Sequence, residues 1–260
     1  MALLEVSGLK KSFDGLEAVQ GFDFTLESGE IVSLIGPNGS GKTTIFNVIT
    51  GIFPASSGGV TFDDGRCNLS GLKPHAITAL GLARTFQNQR LFNQMTVLEN
   101  VLVGQHCRSR VGLAGIVLGL PSARAEKGRV IAEAKELLAI FGERLLPRQD
   151  CLALSLSYAN RRRLEIARAL ATRPRLLLLD EPAAGMNPTE SRELMADILR
   201  IRARGVTILL IEHDMTVVRG ISDRVVALDH GVKIAEGDFA TVRKHPHVVE
   251  AYLGRRAANA

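Results

Sequence analysis

Four short apolar runs in the chain end in polar or glycine-rich turns, which is the pattern of strands buried on both faces. They are IVSLIG from Ile31, LLLLD ending at Asp180, TILLIEH from Thr207 and RVVALDHG from Arg224. Stretches with helical spacing lie between them, at 44–50, 189–204 and 215–221. This alternation predicts an α/β fold in which helices cover a parallel sheet.

The beginning and the middle of the chain follow other patterns. Near the start, LLEVSGLKKSF and GFDFTLESGE alternate and turn as antiparallel strands do, which predicts an antiparallel edge subdomain on a mixed sheet. In the middle, residues 124–141 repeat apolar positions at intervals of three and four, which predicts a helix. We therefore divide a single domain, 1–260, into parts. They are a core subdomain at 1–87 and 165–235, a mostly helical insertion at 88–164 and a C-terminal segment at 236–260.

Composition narrows the class of protein. Hydrophobic residues make up 46% of the chain and charged residues 23%, which is typical of soluble domains. No segment approaches the roughly 20 apolar residues that cross a bilayer, and the glycine-interrupted stretch 111–120 is predicted to be buried or to face a partner. The start does not resemble a secretory signal, which predicts a cytoplasmic location.

Cysteines and net charge leave the chemistry open. Cys67, Cys107 and Cys151 are scattered, which predicts reduced thiols rather than a zinc site or disulfides. The net charge of +5 is compatible with nucleic acid, acidic lipid or polyphosphate and does not choose among them.

The strongest chemical signal is GPNGSGKT, which has the G-x-x-x-x-G-K-[ST] pattern between a predicted strand and a helix. In such a loop the glycines let backbone N–H groups converge on phosphate oxygens, and the helix directs its positive end at the anion. Lys42 is predicted to contact the β- and γ-phosphates of ATP, and Thr43 to bind Mg²⁺ through its hydroxyl. The predicted nucleotide-binding residues of this loop are Gly36, Pro37, Asn38, Gly39, Ser40, Gly41, Lys42, Thr43 and Thr44.

A second group of polar residues follows two other predicted strands. Asp180 ends the LLLLD run and is predicted to organise Mg²⁺, usually through water, while Glu181 is predicted to orient or deprotonate the attacking water. The run from Thr207 delivers His213, which is predicted to contact the γ-phosphate. Together the motifs predict a Mg²⁺-dependent ATPase.

The phosphate loop, LSYAN at 156–160, LLLLDEP and IEHD occur in the order seen in ABC transporter ATP-binding subunits, which the chain resembles over almost its entire length. The resemblance implies a homo- or heterodimer of such subunits, bound to transmembrane permease subunits at the cytoplasmic face of the inner or plasma membrane. DEPAAGMNP, IEHDM and HPHVVEAYLG are most similar to branched-chain amino-acid uptake ATPases, and importers of urea or other amides share much of the pattern. An extracytoplasmic solute-binding protein would then be an indirect partner.

The same resemblance assigns further site residues. Gln87 corresponds to the glutamine that reaches Mg²⁺ and senses the membrane subunit. Ser157, Tyr158 and Ala159 belong to the signature that binds the γ-phosphate of the opposite subunit. Phe13 occupies the position of an adenine-stacking aromatic, although a buried edge-strand phenylalanine is an alternative.

The signature departs from the family pattern. Ala159 replaces a glycine, and its methyl group can obstruct the approach of backbone to phosphate, while Asn160 replaces the usual glutamine. An alternative function is therefore a nucleotide-binding regulatory partner with little hydrolysis of its own. Arg161, Arg162 and Arg163 are predicted to lie on a helix, with charges facing solvent or acidic groups across the dimer, so no nucleic-acid partner is expected.

Overall fold

The computed structural model describes residues 2–108 and 121–253. The predicted buried or partner-facing stretch 111–120 and the end of the C-terminal segment, 254–260, lie outside these residues. The strands are β1 (Ala2–Phe13), β2 (Leu16–Glu27), β3 (Ile31–Ile35), β4 (Ser57–Phe62), β5 (Cys67–Asn68), β6 (Leu82–Arg84), β7 (Leu176–Asp180), β8 (Thr207–Ile211), β9 (Arg224–Asp229) and β10 (Val232–Gly237). The helices are α1 (Lys42–Ile49), α2 (Pro74–Ala79), α3 (Val97–Gln105), α4 (Pro121–Ala139), α5 (Tyr158–Leu170), α6 (Pro188–Ala203), α7 (Met215–Ile221), α8 (Phe239–Lys244) and α9 (Pro246–Leu253).

These elements group into two compact units. The second unit runs from Thr85 to Pro174, and the first unit holds the rest of the described residues. The second unit extends beyond the predicted insertion, 88–164, at both ends. The predicted C-terminal boundary, residue 164, falls in the middle of α5. Because α5 packs against α3 and α4, the whole helix belongs to the second unit.

The strands of the first unit form two sheets. The antiparallel strands near the chain start make a sheet of their own, in the order β2-β1-β4-β5. The other sheet has the order β10-β9-β3-β8-β7-β6, with parallel pairing except at the β10–β9 edge. The prediction of a mixed sheet with an antiparallel subdomain is confirmed. The sequence pattern does not predict β4 or β6, and β6 is too short to show a period.

Burial at the centre of the mixed sheet explains the apolar runs that form β3, β7 and β8. Every residue of β3, β7 and β8 is buried, because the strands are covered on both faces. Full burial of each leucine or isoleucine side chain stabilises the fold by about 1.5–3 kcal/mol. Parallel pairing brings the carboxyl ends of β3, β8 and β7 to one edge, where Leu34 and Asp180 both pair with Ile211. The loops after these three strands therefore lie side by side.

The second unit is mostly helical within the described residues, as the sequence predicts. Its helices within the described residues are α3, α4 and α5, and short 3₁₀ turns follow α3 and lie between α4 and α5. A capping box begins α3, because Thr96 and Glu99 each accept a hydrogen bond from the other's backbone N–H. Among the helices of the described residues, none combines the length and apolar character needed to cross a membrane.

Candidate functional site

The phosphate-loop motif lies between β3 and α1, where the sequence predicts it. Gly36 and Gly41 have φ angles of 150° and 101°, which favour glycine. A Cβ atom on Gly36 would lie 2.2 Å from the backbone oxygen of Leu228, and one on Gly41 would lie 2.6 Å from that of Ala18. Close packing of the loop against neighbouring backbone therefore requires glycine at both positions.

The amino-terminal end of α1 provides the positive potential of the loop. Gly41 is the N-cap residue and offers no capping side chain, and the first helical turn carries no acidic residue. The N–H groups of the first turn therefore face the loop with the positive end of the helix dipole. This arrangement is a ready site for an anion such as phosphate.

Lys42 is folded into the loop and almost fully buried. Its Nζ donates hydrogen bonds to the backbone oxygens of Gly36 and Pro37 at 2.7 and 2.8 Å, and to Ser40 Oγ at 3.1 Å. Burial lowers the pKa of Lys42, while the charges of Glu181 and Asp180 oppose that shift. The ammonium group is thus held by neutral acceptors that a phosphate oxygen would outcompete.

Asp180 is buried at the end of β7 and paired with an arginine that the sequence reasoning did not select. Arg84 Nη2 donates to Asp180 Oδ2 at 2.8 Å, with 6% and 2% of the two side chains exposed. Arg84 Nη1 also donates to Asn47 Oδ1 at 2.7 Å and to Thr50 Oγ1 at 3.2 Å, both on or next to α1. The guanidinium group therefore ties the end of β7 to the helix that follows the phosphate loop.

Glu181 and His213 are brought together because they follow the neighbouring parallel strands β7 and β8. His213 Nε2 lies 2.9 Å from Glu181 Oε1, and the Glu181 backbone N–H donates to the Ile211 oxygen at 2.9 Å. Glu181 has a φ of 47°, a conformation that a residue with a side chain rarely adopts and that is enriched at functional sites. Both side chains are partly exposed and can reach a ligand at this edge of the sheet.

Glu212 is a second residue that the sequence reasoning missed. Its buried carboxylate accepts hydrogen bonds from the backbone N–H groups of Ala183, His213 and Asp214, at 2.8, 3.0 and 3.3 Å. Burial raises the pKa of Glu212, and these hydrogen bonds oppose the shift. Glu212 thus joins the segment that follows Glu181 to the segment that carries His213. The available signal was an acid at the end of an otherwise apolar strand.

The residues around the loop suit magnesium, which binds partly through water and phosphate, better than a metal that only protein side chains coordinate. Among the described residues, no three His, Cys, Asp or Glu side chains gather into a metal-binding cluster. Mg²⁺ keeps several waters and usually takes one or two carboxylates plus substrate phosphates. The buried Asp180 carboxylate at the end of β7 and the Thr43 hydroxyl of the anion-binding loop fit that donor set.

The C-terminal helix α9 lies beside the phosphate loop. A cavity of about 560 Å³ lies beside the loop, between it and α9. Its lining includes Pro37, Asn38, Gly39, Ser40, Asp229, His230, His247 and Glu250. Burial raises the pKa of the Tyr252 phenol, and a hydrogen bond with the Gly36 backbone opposes this shift.

Phe13 ends β1 with 37% of its surface exposed, so the alternative of a buried edge-strand phenylalanine is wrong. Its ring packs edge-on against Phe53 at 5.2 Å between centroids, and Lys11 Nζ lies 4.7 Å from the Phe13 ring. The ring is therefore partly exposed, and a partly exposed aromatic ring is suited to stacking. Its contact with adenine stays a prediction.

The second unit holds Gln87 and the signature residues. Gln87 is exposed three residues after β6, and Ser157 and Tyr158 are exposed at the start of α5. Ser157 is the N-cap of α5 and accepts a hydrogen bond from the Asn160 N–H at 3.4 Å. Ala159 lies in the first turn of α5 and is only 3% exposed. Its methyl group is therefore buried within this unit, which weakens the expectation that it blocks phosphate.

The expectation of solvent-facing arginines after the signature is wrong for two of the three. Arg162 and Arg163 are 0% and 1% exposed, while Arg161 is partly exposed. Arg162 pairs with Glu165, and Arg163 donates to Asn160 Oδ1 at 3.2 Å. Internal acceptors satisfy these charges, so a sequence count of positive residues overstates the basic surface here.

A family model described as "ABC transporter" matches residues 19–184. The chain belongs to the ABC transporter family. A second model, described as "Branched-chain amino acid ATP-binding cassette transporter", matches residues 232–258. The family assignment made from the motifs is confirmed.

Among curated ABC relatives, the chain is 46% identical to LivG of Escherichia coli K12 over 253 residues, covering 97% of this chain and 98% of LivG. It is 45% identical to BraF of Pseudomonas aeruginosa over 256 residues, covering 97% and 98%. Both are high-affinity branched-chain amino acid transport ATP-binding proteins. Identity along almost the whole length indicates that this chain has the same domain architecture as LivG and BraF.

Solved structures agree with the ABC fold. A nucleotide-free ATP-binding cassette from an ABC transporter has a TM-score of 0.84 and 32% identity, covering 98% of this chain and 100% of that one. The ADP conformation of MJ1267, an ATP-binding cassette of an ABC transporter, has a TM-score of 0.83 and 31% identity with the same coverage. The fold predicted from the sequence is confirmed.

Proposed function

We propose that this ABC subunit binds and hydrolyses ATP to energise import of branched-chain amino acids or related amides. The observation that carries the proposal is the edge of the mixed sheet, where the phosphate loop follows β3 while Glu181 and His213 follow β7 and β8. ABC ATP-binding subunits are ATPases that power transport. The named function of LivG and BraF supports the class of solute.

ATP binding uses the preformed anion site. The loop N–H groups and the first turn of α1 receive the phosphates, and Lys42 exchanges the Gly36 and Pro37 oxygens for β- and γ-phosphate oxygens. Phe13 offers a ring for the adenine base. Mg²⁺, when bound, neutralises phosphate charge, and the residues that would hold it are Thr43, Asp180 and Gln87.

Hydrolysis depends on the Glu181–His213 pair. The Glu181 carboxylate accepts a proton from the attacking water or orients that water, and the 2.9 Å contact with His213 restricts the carboxylate. We infer that His213 contacts the γ-phosphate. Ser157, Tyr158 and Ala159 serve the γ-phosphate held by a second ATP-binding subunit, so the working unit is a homo- or heterodimer.

An exposed apolar surface in the second unit suits a permease partner. Phe92 and Met95 are 46% and 37% exposed, and Leu152 and Leu154 are 41% and 45% exposed. Hydrogen bonds from Ala153 N to Met95 O and from Leu154 N to Asn93 O hold the two segments side by side. Contiguous exposed apolar side chains mark interaction sites. We infer that this surface contacts the permease subunits and that the chain is peripheral at the cytoplasmic membrane face, with the solute-binding protein an indirect partner and no nucleic acid expected.

A transport assay tests the proposal directly. The chain, its permease pair and any second ATP-binding subunit are placed in vesicles with the solute-binding protein. Uptake of labelled leucine, valine or urea is then compared with and without Mg²⁺·ATP. We expect ATP-dependent uptake of a branched-chain amino acid, and the matched control carries Glu181→Gln. Uptake that is independent of ATP, or equal in the Glu181→Gln vesicles, would contradict the proposal.

The alternative of a regulatory partner with little hydrolysis is not favoured. The relatives that match this chain along nearly their whole length are transport ATP-binding proteins. The buried position of Ala159 also removes part of the reason for that alternative.

A further inference from the structure

Two buried charged residues on α5 face the backbone that carries Gln87. Arg162 Nη1 donates to the Phe86 oxygen at 2.6 Å, and Arg162 Nη2 donates to the Gln87 oxygen at 3.0 Å. Glu165 Oε1 accepts a hydrogen bond from the Phe86 N–H at 3.3 Å. Arg162 and Glu165 together thus contact the N–H and C=O groups of Phe86 and the C=O group of Gln87.

These two side chains also satisfy each other. Arg162 Nη1 lies 2.9 Å from Glu165 Oε2, one helical turn away on the same face, and 0% and 2% of the two side chains are exposed. A buried ion pair costs desolvation free energy, which is repaid when further hydrogen bonds use the remaining donors and acceptors. Here those further partners are backbone groups of Phe86 and Gln87. The pair is therefore built around this loop segment.

We propose that Arg162 and Glu165 are positioning residues that fix the backbone of Phe86 and Gln87 to the signature helix. Any displacement of α5 carries the Gln87 backbone with it, because the fork of Arg162 contacts two successive carbonyl oxygens. The helix that carries Ser157 at its N-terminus then moves together with the residue proposed to reach magnesium. This inference rests on the proposed function only for its effect on ATP turnover.

Lysine at position 162 tests the fork geometry. Arg162→Lys keeps the positive charge beside Glu165 but has no planar fork for two carbonyl oxygens. We expect the Phe86 amide to exchange its hydrogen about tenfold faster, since local opening becomes easier. ATP turnover should fall several-fold, while ATP affinity stays unchanged. A variant that only loosened the fold would accelerate exchange throughout the second unit.

A hydrophobic double variant keeps the test independent of folding. Replacing a buried ion pair by apolar residues of similar volume is often neutral or stabilising, so Arg162→Met with Glu165→Met should preserve the melting temperature. All four contacts of the pair are lost in this variant. We expect fast exchange at Phe86 and reduced turnover despite normal stability.

The matched control is Arg173→Lys. Arg173 makes a two-pronged contact with Glu133 in the same unit, at 2.6 and 2.5 Å, but about half of the Arg173 side chain is exposed and it does not hold Phe86 or Gln87. This variant should leave turnover and Phe86 exchange at the parental values. Equal Phe86 exchange in the double variant and the parent would overturn the positioning role. Faster exchange with parental turnover would overturn its effect on turnover, and a parent without ATP turnover would instead contradict the proposed function.

Discussion

In the first unit the buried arginine Arg84 contacts a carboxylate at the end of a sheet strand, whereas in the second unit the buried arginine Arg162 contacts backbone oxygens of a loop. Both arginines are charge-paired and almost inaccessible. We propose that their partners also differ in function, with Asp180 serving magnesium and Glu165 positioning the backbone of Phe86 and Gln87. Burial of an ion pair therefore does not by itself mark a catalytic site.

The two regions also differ in how their charges can respond to a ligand. A nucleotide would engage Lys42, which donates to loop oxygens here, and its metal would engage Asp180, which Arg84 holds here. The Arg162–Glu165 pair has no such exchangeable partner among its observed contacts. We expect variants in the first region to change binding and chemistry, and variants in the second to change the coupling of loop and helix.

The largest expected effect is on hydrolysis at the first region. Glu181→Gln keeps the shape of the side chain and removes the base, so ATP turnover should fall by about 10²–10⁴-fold. Binding of Mg²⁺·ATP should persist, because the phosphate loop is unchanged. Steady-state phosphate release and calorimetric ATP binding measure the two effects. Parental turnover in this variant would remove Glu181 from the chemistry.

The next effect separates a site-facing ion pair from a surface pair. Arg84→Met leaves the Asp180 carboxylate buried without its guanidinium partner, which should lower the free energy of unfolding by about 3–5 kcal/mol. The control is Arg175→Met, since the Arg175 and Asp63 side chains are 51% and 22% exposed and solvent screening leaves such surface pairs with little effect on stability. Urea denaturation of both variants gives the comparison. Equal losses would show that burial of the Asp180 pair has no energetic consequence.

A smaller effect is expected on nucleotide affinity at Lys42. Lys42→Ala removes a charge-assisted contact with the phosphates, worth about 1.5–3 kcal/mol, or roughly 10- to 100-fold in the ATP dissociation constant. Calorimetry with Mg²⁺·ATP measures the change, and Lys135→Ala, which removes an exposed lysine of α4 outside the proposed site, is the control. Unchanged affinity would show that Lys42 remains bound to the loop oxygens when ATP is present.

The smallest effect is expected at Ala159 in the second region. Ala159→Gly should destabilise the helix by about 1 kcal/mol or less, since glycine is the poorer helix former. Because the Ala159 methyl is buried, turnover should change less than about threefold. Turnover measured across protein concentration, with ATP affinity measured separately, checks this. A large gain, alone or with Asn160→Gln, would support the obstruction expected from the sequence.

Local sequence patterns predicted the part of the site that is formed by consecutive residues of the chain. The strand β3, the phosphate loop and α1 are consecutive, so a motif with its flanking periodicity predicts their arrangement. The apolar runs likewise predict β7, β8 and β9, because complete burial of a parallel strand requires a continuous hydrophobic segment. The Glu181–His213 contact follows from the adjacency of two such strands.

Long-range polar partners were not predictable in this way. Arg84 and Asp180 are paired across 96 sequence positions, and Arg162 meets Gln87 across 75. Local periodicity does not report which distant acceptor satisfies a charge, so Arg162 and Arg163 were expected to face solvent. The buried Glu212 carboxylate was missed for the same reason.

The sequence by itself determined the ABC family, the α/β order of elements and the identity of the phosphate loop, because these depend on residues close together along the chain. Only the tertiary structure decided which charges are buried and what they hold. An ion is buried only where folding assembles partners that replace its hydration, and those partners come from distant segments. In this chain, the distant partners distinguish the two buried arginines: Arg84 pairs with Asp180, and Arg162 holds the backbone of Gln87.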